Sequence, residues 1–495
     1  MSTGGIYQLI ANTGRQDQMI LATELLNKRL REIKRIRCKN PAIKDKTPTL
    51  VDIERTHLLF MNAHFKPFCA IGYEYQSIPV SEGMMGFGQT VTYSIPQFGD
   101  FFNDMVLHVQ LTGLTVGPLS QQCLYCDYVG HRMMQLVQFE VNGNLLDFYD
   151  SNMYNFHYNF FVTENKKYAW NNCVGQENPK IATLTQNPGS DAYREIKYLT
   201  DGPQTPMQSH PVLDLWIPLL FWFNKDPQLM IPSVSIPYGQ RFIYITFATA
   251  DLICQGYPTF DFTAPTFTAA DLWINNIFVN PEIHDIFIKR IGFQMIRVHR
   301  YQQVPLSNNI DQIRLDQLKW PVETLYIGAK PNNNLSLATS MTDWYKFHYV
   351  DTIITPYPVV QTIPIPDQPP TYLIAIGQGT WKKQIRMIDS FSLETHGIQL
   401  YVTTPVEFFN YYIPYNYGSN IASPADIGVY MVTFNLYPGA YQPSGHINLS
   451  NSREFFFIYT SSLISEIIPA VLYVYAVAIN FLLISDGSAV LRYNT

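Results

Sequence analysis

Short stretches of alternating apolar and polar residues, rather than helical stripes, organise most of this chain. Residues 90–95, 105–111, 135–141, 215–223 and 240–247 carry the period of two that half-buried strands show, with clusters of Gly, Pro and Asn between them. Asn142-Gly143 predicts a tight hairpin, because both residue types tolerate positive φ. A second series covers 285–300, 322–327, 388–402, 429–436 and 471–484, while residues 251–271 lose the alternation. The pattern predicts a basic segment at 1–46, one β domain at 47–255, a linker at 256–271 and a second β domain at 272–495. No residue-level repeat relates the two domains. Strand spacing of this kind suits a pair of Greek-key sandwiches.

Helical spacing occurs near the start, where Met19, Ala22, Leu26, Leu30 and Ile33 recur behind Thr13 or Asp17 as the cap. The polar side carries Lys28, Arg29, Arg31, Lys34, Arg35 and Arg37, the candidate inner-face contact residues. Residues 1–46 hold ten Lys/Arg against four Asp/Glu, and the remainder holds 23 against 35, so a basic head precedes an acidic body. Two readings stay open: a solvated face on a helix tucked under the body, or a foot resting on an anionic layer such as membrane headgroups or an acidic protein. Aromatic residues are not interleaved with the basic ones, so sequence-specific nucleic-acid binding is not expected.

Residues 467–484 contain no charge and approach the length of a membrane span. Pro469, Asn480, two tyrosines and several β-branched residues, without a basic flank, predict a buried strand pair instead. The composition points the same way. Only 15% of residues are charged, against 33 Tyr, 31 Phe and 33 Pro, which suits short strands and broad contacts between subunits better than a free monomer. The cysteines (Cys38, Cys69, Cys123, Cys126, Cys173, Cys254) are too scattered for a disulfide framework, and no charged-then-apolar leader opens the sequence. Synthesis in a reducing cytosol is expected, with the sequons at Asn334 and Asn448 unused.

Candidate chemistry is sparse. Cys123-x-x-Cys126 has metal-like spacing but no second pair to complete a four-ligand set. His57 and His64 fall on separate elements, and His446 sits in a turn. Gly83-x-x-Gly86-x-Gly88 lacks a strand-to-helix context for phosphate binding. No elbow motif marks a nucleophile. Neither a catalytic residue nor a cofactor or metal site is expected.

The segment 441–450, reading YQPSGHINLS, is a turn on physical grounds. Upstream, Tyr430, Val432, Phe434 and Leu436 alternate with Met431, Thr433 and Asn435 as in a half-buried strand. Its Gln442, Pro443, Ser444, Gly445 and Asn448 resemble a signature of the major capsid proteins of nucleocytoplasmic large DNA viruses. Further segments match in order: Gly4-Gly5 with Leu9-Ile10-Ala11-Asn12, then 62–67, 96–102, 141–144, 202–206, 231–237, 281–284, 318–321 and 487–493. The chain is most similar to the asfarvirus-like members, although the connections after Leu114 and Glu177 are shorter here.

The resemblance implies a double jelly roll, two eight-stranded antiparallel sandwiches. It further implies homotrimers of pseudo-hexagonal outline that tile an icosahedral shell, with minor capsid and penton proteins as partners. On the residues rather than the resemblance, the foot reading of the basic N-terminus gives it the inner viral membrane surface or an acidic minor protein as its partner. A capsid protein of this family is made in host cytoplasm at a viral factory and resides in the virion capsid. The competing expectation is a jelly-roll carbohydrate-binding protein or cupin-like enzyme, which needs a histidine and carboxylate cluster that the sequence lacks.

Overall fold

A computed structural model describes residues 25–35, 71–117, 121–177, 180–186, 193–198, 202–233, 236, 241–257, 261–280, 292–336, 339–363, 371–417, 421–451, 454–485 and 488–493. Sixteen principal strands form two sandwiches, numbered here in chain order. The first contains β1 (Ile71–Ile78), β2 (Thr90–Ser94), β3 (Phe101–Leu111), β4 (Met134–Val141), β5 (Asn144–Asp150), β6 (Leu213–Pro218), β7 (Arg241–Phe247) and β8 (Phe267–Val279). The second contains β9 (Gly292–Leu306), β10 (Ile310–Arg314), β11 (Pro321–Pro331), β12 (Ser390–Thr395), β13 (Ile398–Pro405), β14 (Val429–Thr433), β15 (Phe455–Thr460) and β16 (Ala470–Ser485).

All pairings among them are antiparallel. The first sandwich has one sheet ordered β1-β8-β3-β6 and another ordered β2-β7-β4-β5. The second repeats both orders, as β9-β16-β11-β14 and β10-β15-β12-β13. Each half is therefore a complete jelly roll, and the halves are kin in topology though not visibly in residues.

Local chemistry explains the regular strands. In β7 every second residue is buried, from Arg241 through Ile243 and Ile245 to Phe247. Asn142 and Gly143 both adopt positive φ, at 51° and 77°, and close the β4–β5 hairpin as expected.

Several expectations need correction. Residues 256–271 are not a linker and the second domain does not begin at 272: β8 hydrogen-bonds to β1 and β3 and completes the first sandwich, so the boundary lies after Val279. The run 215–223 is a strand only to Pro218, after which Trp222–Lys225 turns helical. The run 388–402 is a hairpin, because His396 and Gly397 both take positive φ and fold β13 back on β12. The apolar run 467–484 is not a strand pair but mostly one strand, β16, held between β9 and β11. Among the described residues no helix is long and apolar enough to cross a membrane. Strand β14 is buried along its whole length rather than on one face.

Strand β11 is also buried at every position, from Pro321 to Pro331. One of its faces lines its own sandwich and the other is covered by the first domain, whereas β14 packs beside the helical segment 408–416 of its own domain. Between β5 and β6 the first domain inserts helix α1 (Ser151–Phe160) and helix α2 (Glu164–Cys173). Phe160 of α1 packs on Tyr326 of β11 with ring centroids 5.0 Å apart, and Phe156 packs on Tyr475 of β16 at 5.2 Å. The buried residues of both sandwiches consequently join in one apolar cluster.

Residues 25–35 are helical and carry Lys28, Arg29, Arg31, Lys34 and Arg35. The apolar residues Leu25, Leu26, Leu30 and Ile33 of this helix are exposed. Arg37, Met19, Ala22, Thr13 and Asp17 lie outside the described residues.

Candidate functional site

The signature loop is built against an unusual elbow. Trp320 adopts φ 78° just before β11, and the Arg300 guanidinium stacks 3.8 Å from its ring centroid. The Trp320 amide donates to Ser450 Oγ at 2.7 Å, and the Leu449 amide donates to the Trp320 carbonyl at 3.0 Å. Ile447 and Asn448 add a short rung to β11, opposite Val322 and Pro321. Two of the matching segments, 318–321 and 441–450, thus meet in space.

Within the loop, Ser444 Oγ accepts from the Tyr437 amide at 2.8 Å, and Asn448 Oδ1 accepts from the Ser450 amide at 3.0 Å. Gly445 holds φ 149°, and a Cβ there would lie 2.7 Å from the Phe434 carbonyl oxygen. Arg297 Nη1 donates to the Tyr441 carbonyl at 3.1 Å while its fork grips Glu323. Gln442, Pro443 and His446 face solvent. These contacts determine backbone shape and assemble no nucleophile with a base.

A second constellation, with no strong sequence signal, lies where the domains meet. Asp147, fully buried on β5, accepts from the His299 amide at 2.8 Å and from His299 Nδ1 at 3.0 Å. Asp150 caps α1 through the amides of Asn152 and Met153, and also accepts from Gln303 Nε2 at 3.0 Å and from the Tyr475 hydroxyl. Lys330 of β11 donates to Asn152 Oδ1 at 2.6 Å. Arg132 Nη1 reaches the Ser340 carbonyl at 2.9 Å, and Trp344 Nε1 reaches the Asp127 carbonyl at 2.6 Å. Lys330, which follows the apolar run Leu325–Ala329 of β11, is the one sequence cue. Its partners lie too far away in the chain to be found from spacing.

His131 shows how burial sets protonation here. Its ring stacks between Tyr128 and Tyr154, each with centroids 5.2 Å away, and Nε2 accepts from Trp170 Nε1 at 2.9 Å. Burial lowers its pKa from 6.5 to about 3. Between these values the unfolded chain takes up a proton that the folded chain refuses, so stability is full above pH 6.5 and declines as pH falls toward 3. His157 and His299, also lowered chiefly by burial, act in the same direction. The unfolding midpoint should therefore fall over this range, with a shallower slope in His131→Phe, measured by calorimetry against pH.

The remaining candidates resolve as packing. Cys123, Cys126 and Cys254 are buried free thiols, and burial pushes Cys126 up to about 12, away from the reactive thiolate. Cys123 Sγ donates to the Met207 carbonyl at 3.3 Å. Among the described residues no cluster of three His, Cys, Asp or Glu side chains could hold a metal ion. Gly83, Gly86 and Gly88 lie in the connection from β1 to β2. Asn334 is buried, with its amide donating to the carbonyls of Lys346 and His348 at 3.1 Å each. Cys38, Cys69, His57 and His64 lie outside the described residues.

Comparison with known proteins agrees with this architecture. The profile of the major capsid protein N-terminus matches residues 72–280, and that of the large eukaryotic DNA virus major capsid protein matches 278–490. The hexon protein p72 of African swine fever virus is 33% identical over the full length of both chains. The aligned span of 648 positions exceeds the 495 residues here, so the relative carries additional segments. The major capsid protein of Paramecium bursaria Chlorella virus 1 is 22% identical over 74% of each chain. Among solved structures, the Faustovirus major capsid protein superposes with a TM-score of 0.76 at 33% identity, covering 95% of this chain and 100% of that one. This chain belongs to the family of large eukaryotic DNA virus major capsid proteins and is a hexon-like building block of an icosahedral capsid.

Proposed function

We propose that the protein works by self-assembly alone, as a homotrimer of pseudo-hexagonal outline that packs edge to edge with neighbouring trimers. The carrying observation is the repeated strand order, which makes one chain two jelly rolls side by side. Three chains then supply six similar sandwiches, which is the geometry a hexagonal tile needs. Exposed Tyr411, Tyr412, Tyr415, Leu436 and Tyr437 supply apolar surface of the kind that subunit contacts cover. Light scattering on the purified protein should give three times the 56.9 kDa chain mass. A stable monomer that binds glycans would instead favour the carbohydrate-binding alternative, which no relative named above supports.

The basic N-terminus is proposed to face inward. Its helix at 25–35 exposes both a basic and an apolar set of residues, the combination that lies on anionic membrane surfaces. Lys28, Arg29, Arg31, Lys34, Arg35 and Arg37 would contact the headgroups, while minor capsid and penton proteins complete the shell. The expected site of synthesis is the host cytoplasm, at a viral factory. Deleting residues 1–37 should leave trimers intact but abolish flotation with anionic vesicles. Unchanged flotation would remove the membrane role.

A further inference from the structure

Lys330, Asn152 and Asp150 form a compact triad between the two jelly rolls. Lys330 lies on β11 of the second domain, whereas Asp150 ends β5 and Asn152 begins α1 in the first. Only 1% of Lys330, 9% of Asn152 and 8% of Asp150 is exposed, so water has little access to a reaction there. The amine donates to a neutral amide, Asn152 Oδ1, at 2.6 Å. On the same side chain, Asn152 Nδ2 donates to Asp150 Oδ2 at 3.3 Å. Trp344, Phe347 and Tyr473 surround the amine, with ring centroids 5.3, 4.9 and 5.3 Å from Nζ.

We propose that this triad is a self-modification site at which Lys330 and Asn152 condense into an isopeptide bond, covalently joining the two jelly rolls. Burial lowers the Lys330 pKa to about 7, so much of the amine is neutral and nucleophilic near neutral pH. Burial also pushes the Asp150 carboxyl up, despite the hydrogen bonds it accepts, which favours a form able to exchange protons. The Nζ lone pair attacks Asn152 Cγ and forms the new C–N bond. Asp150, a carboxylate that accepts hydrogen bonds from five donors, takes a proton from the attacking nitrogen and passes it to Nδ2; the Cγ–Nδ2 bond breaks, ammonia leaves and the carboxylate is restored. One ammonia is lost, no oxidant or reductant is needed, and the reacting groups are already held in contact.

The role of Asp150 follows from its contact with the leaving nitrogen. The bond would tie a strand of one domain to the helix that covers it, so the domains could not separate without breaking a covalent link. Lys330 near the N-terminus of α1 would otherwise be an unfavourable placement for a cation, a conflict that the neutral amide product removes.

The test is intact mass spectrometry of the full chain, assembled, aged at neutral pH and then denatured. The expected result is a mass short of the sequence mass by one ammonia, with a branched tryptic product joining the Lys330 and Asn152 peptides. Lys330→Arg and Asn152→Ala should each restore the variant's full sequence mass. Asp150→Asn should slow formation of the branched product at least tenfold while the amine and amide remain. A wild-type chain of full mass, with both peptides linear, overturns the proposal without depending on whether any variant folds. A branched product forming at the wild-type rate in Asp150→Asn overturns the proton-transfer role of Asp150.

Discussion

Gly445→Val is expected to abolish most folded, assembly-competent protein. At φ 149° a side chain is strained, and the first added carbon would stand 2.7 Å from the Phe434 carbonyl oxygen, a backbone atom that cannot swing aside. Strain and overpacking of this kind together cost about 3 kcal/mol or more. The loss is amplified by position. The loop around Gly445 holds the Trp320 elbow through Ser450 and Leu449, and that elbow starts β11, the strand on which the first domain rests. Soluble yield and trimer fraction by light scattering measure the outcome. Wild-type yield and trimer fraction in the variant would show that the loop relaxes freely. Gly445→Ala should suffer less, since it keeps the φ strain but adds only one carbon.

Asp147→Ala is expected to loosen the domains from one another. The Asp147 carboxylate accepts from the His299 amide, from His299 Nδ1 and from the Phe148 amide. Removing it strands buried donors, at about 1–3 kcal/mol each before relaxation, so a net loss on the order of 3 kcal/mol follows. Because His299 belongs to the second domain and Asp147 to the first, the effect should appear as lost cooperativity between the sandwiches. Calorimetry of the variant should show the single transition broadened or divided. Asp147→Asn keeps one acceptor and should fall between. A midpoint and width equal to wild type would mean that the seam is held by apolar packing alone.

Much of the fold is legible in the residue pattern. Strands 105–111, 135–141 and 241–247 are visible because each buries alternate residues, a pattern written in neighbouring positions. The Asn142-Gly143 hairpin was visible because positive φ is a local demand. The errors share a cause. Residues 256–271 lack clean alternation, yet they run into β8, whose place is decided by distant partners in β1 and β3, such as Ile71 opposite Val279 and Leu111 opposite Phe267. In β14, the alternation of Tyr430 and Val432 with Met431 and Thr433 suggests one wet face, but the strand is buried throughout and packs beside the helical segment 408–416. The signature loop is legible as a segment, while its contact with Trp320 joins positions 130 residues apart and leaves no local pattern.

The sequence by itself determined the strand-rich class, the basic head on an acidic body, the hairpin chemistry and the family. These rest on residue order, local dihedral preference and apolar period, which act within a few positions. Tertiary structure alone decided the rest. It placed the domain boundary after Val279, gave both halves the same strand order, buried β11 and β16 between domains, and brought Asp147 to His299 and Lys330 to Asn152. Those outcomes depend on which distant surfaces cover each other, and a one-dimensional pattern states only that a face is apolar, not what will lie against it.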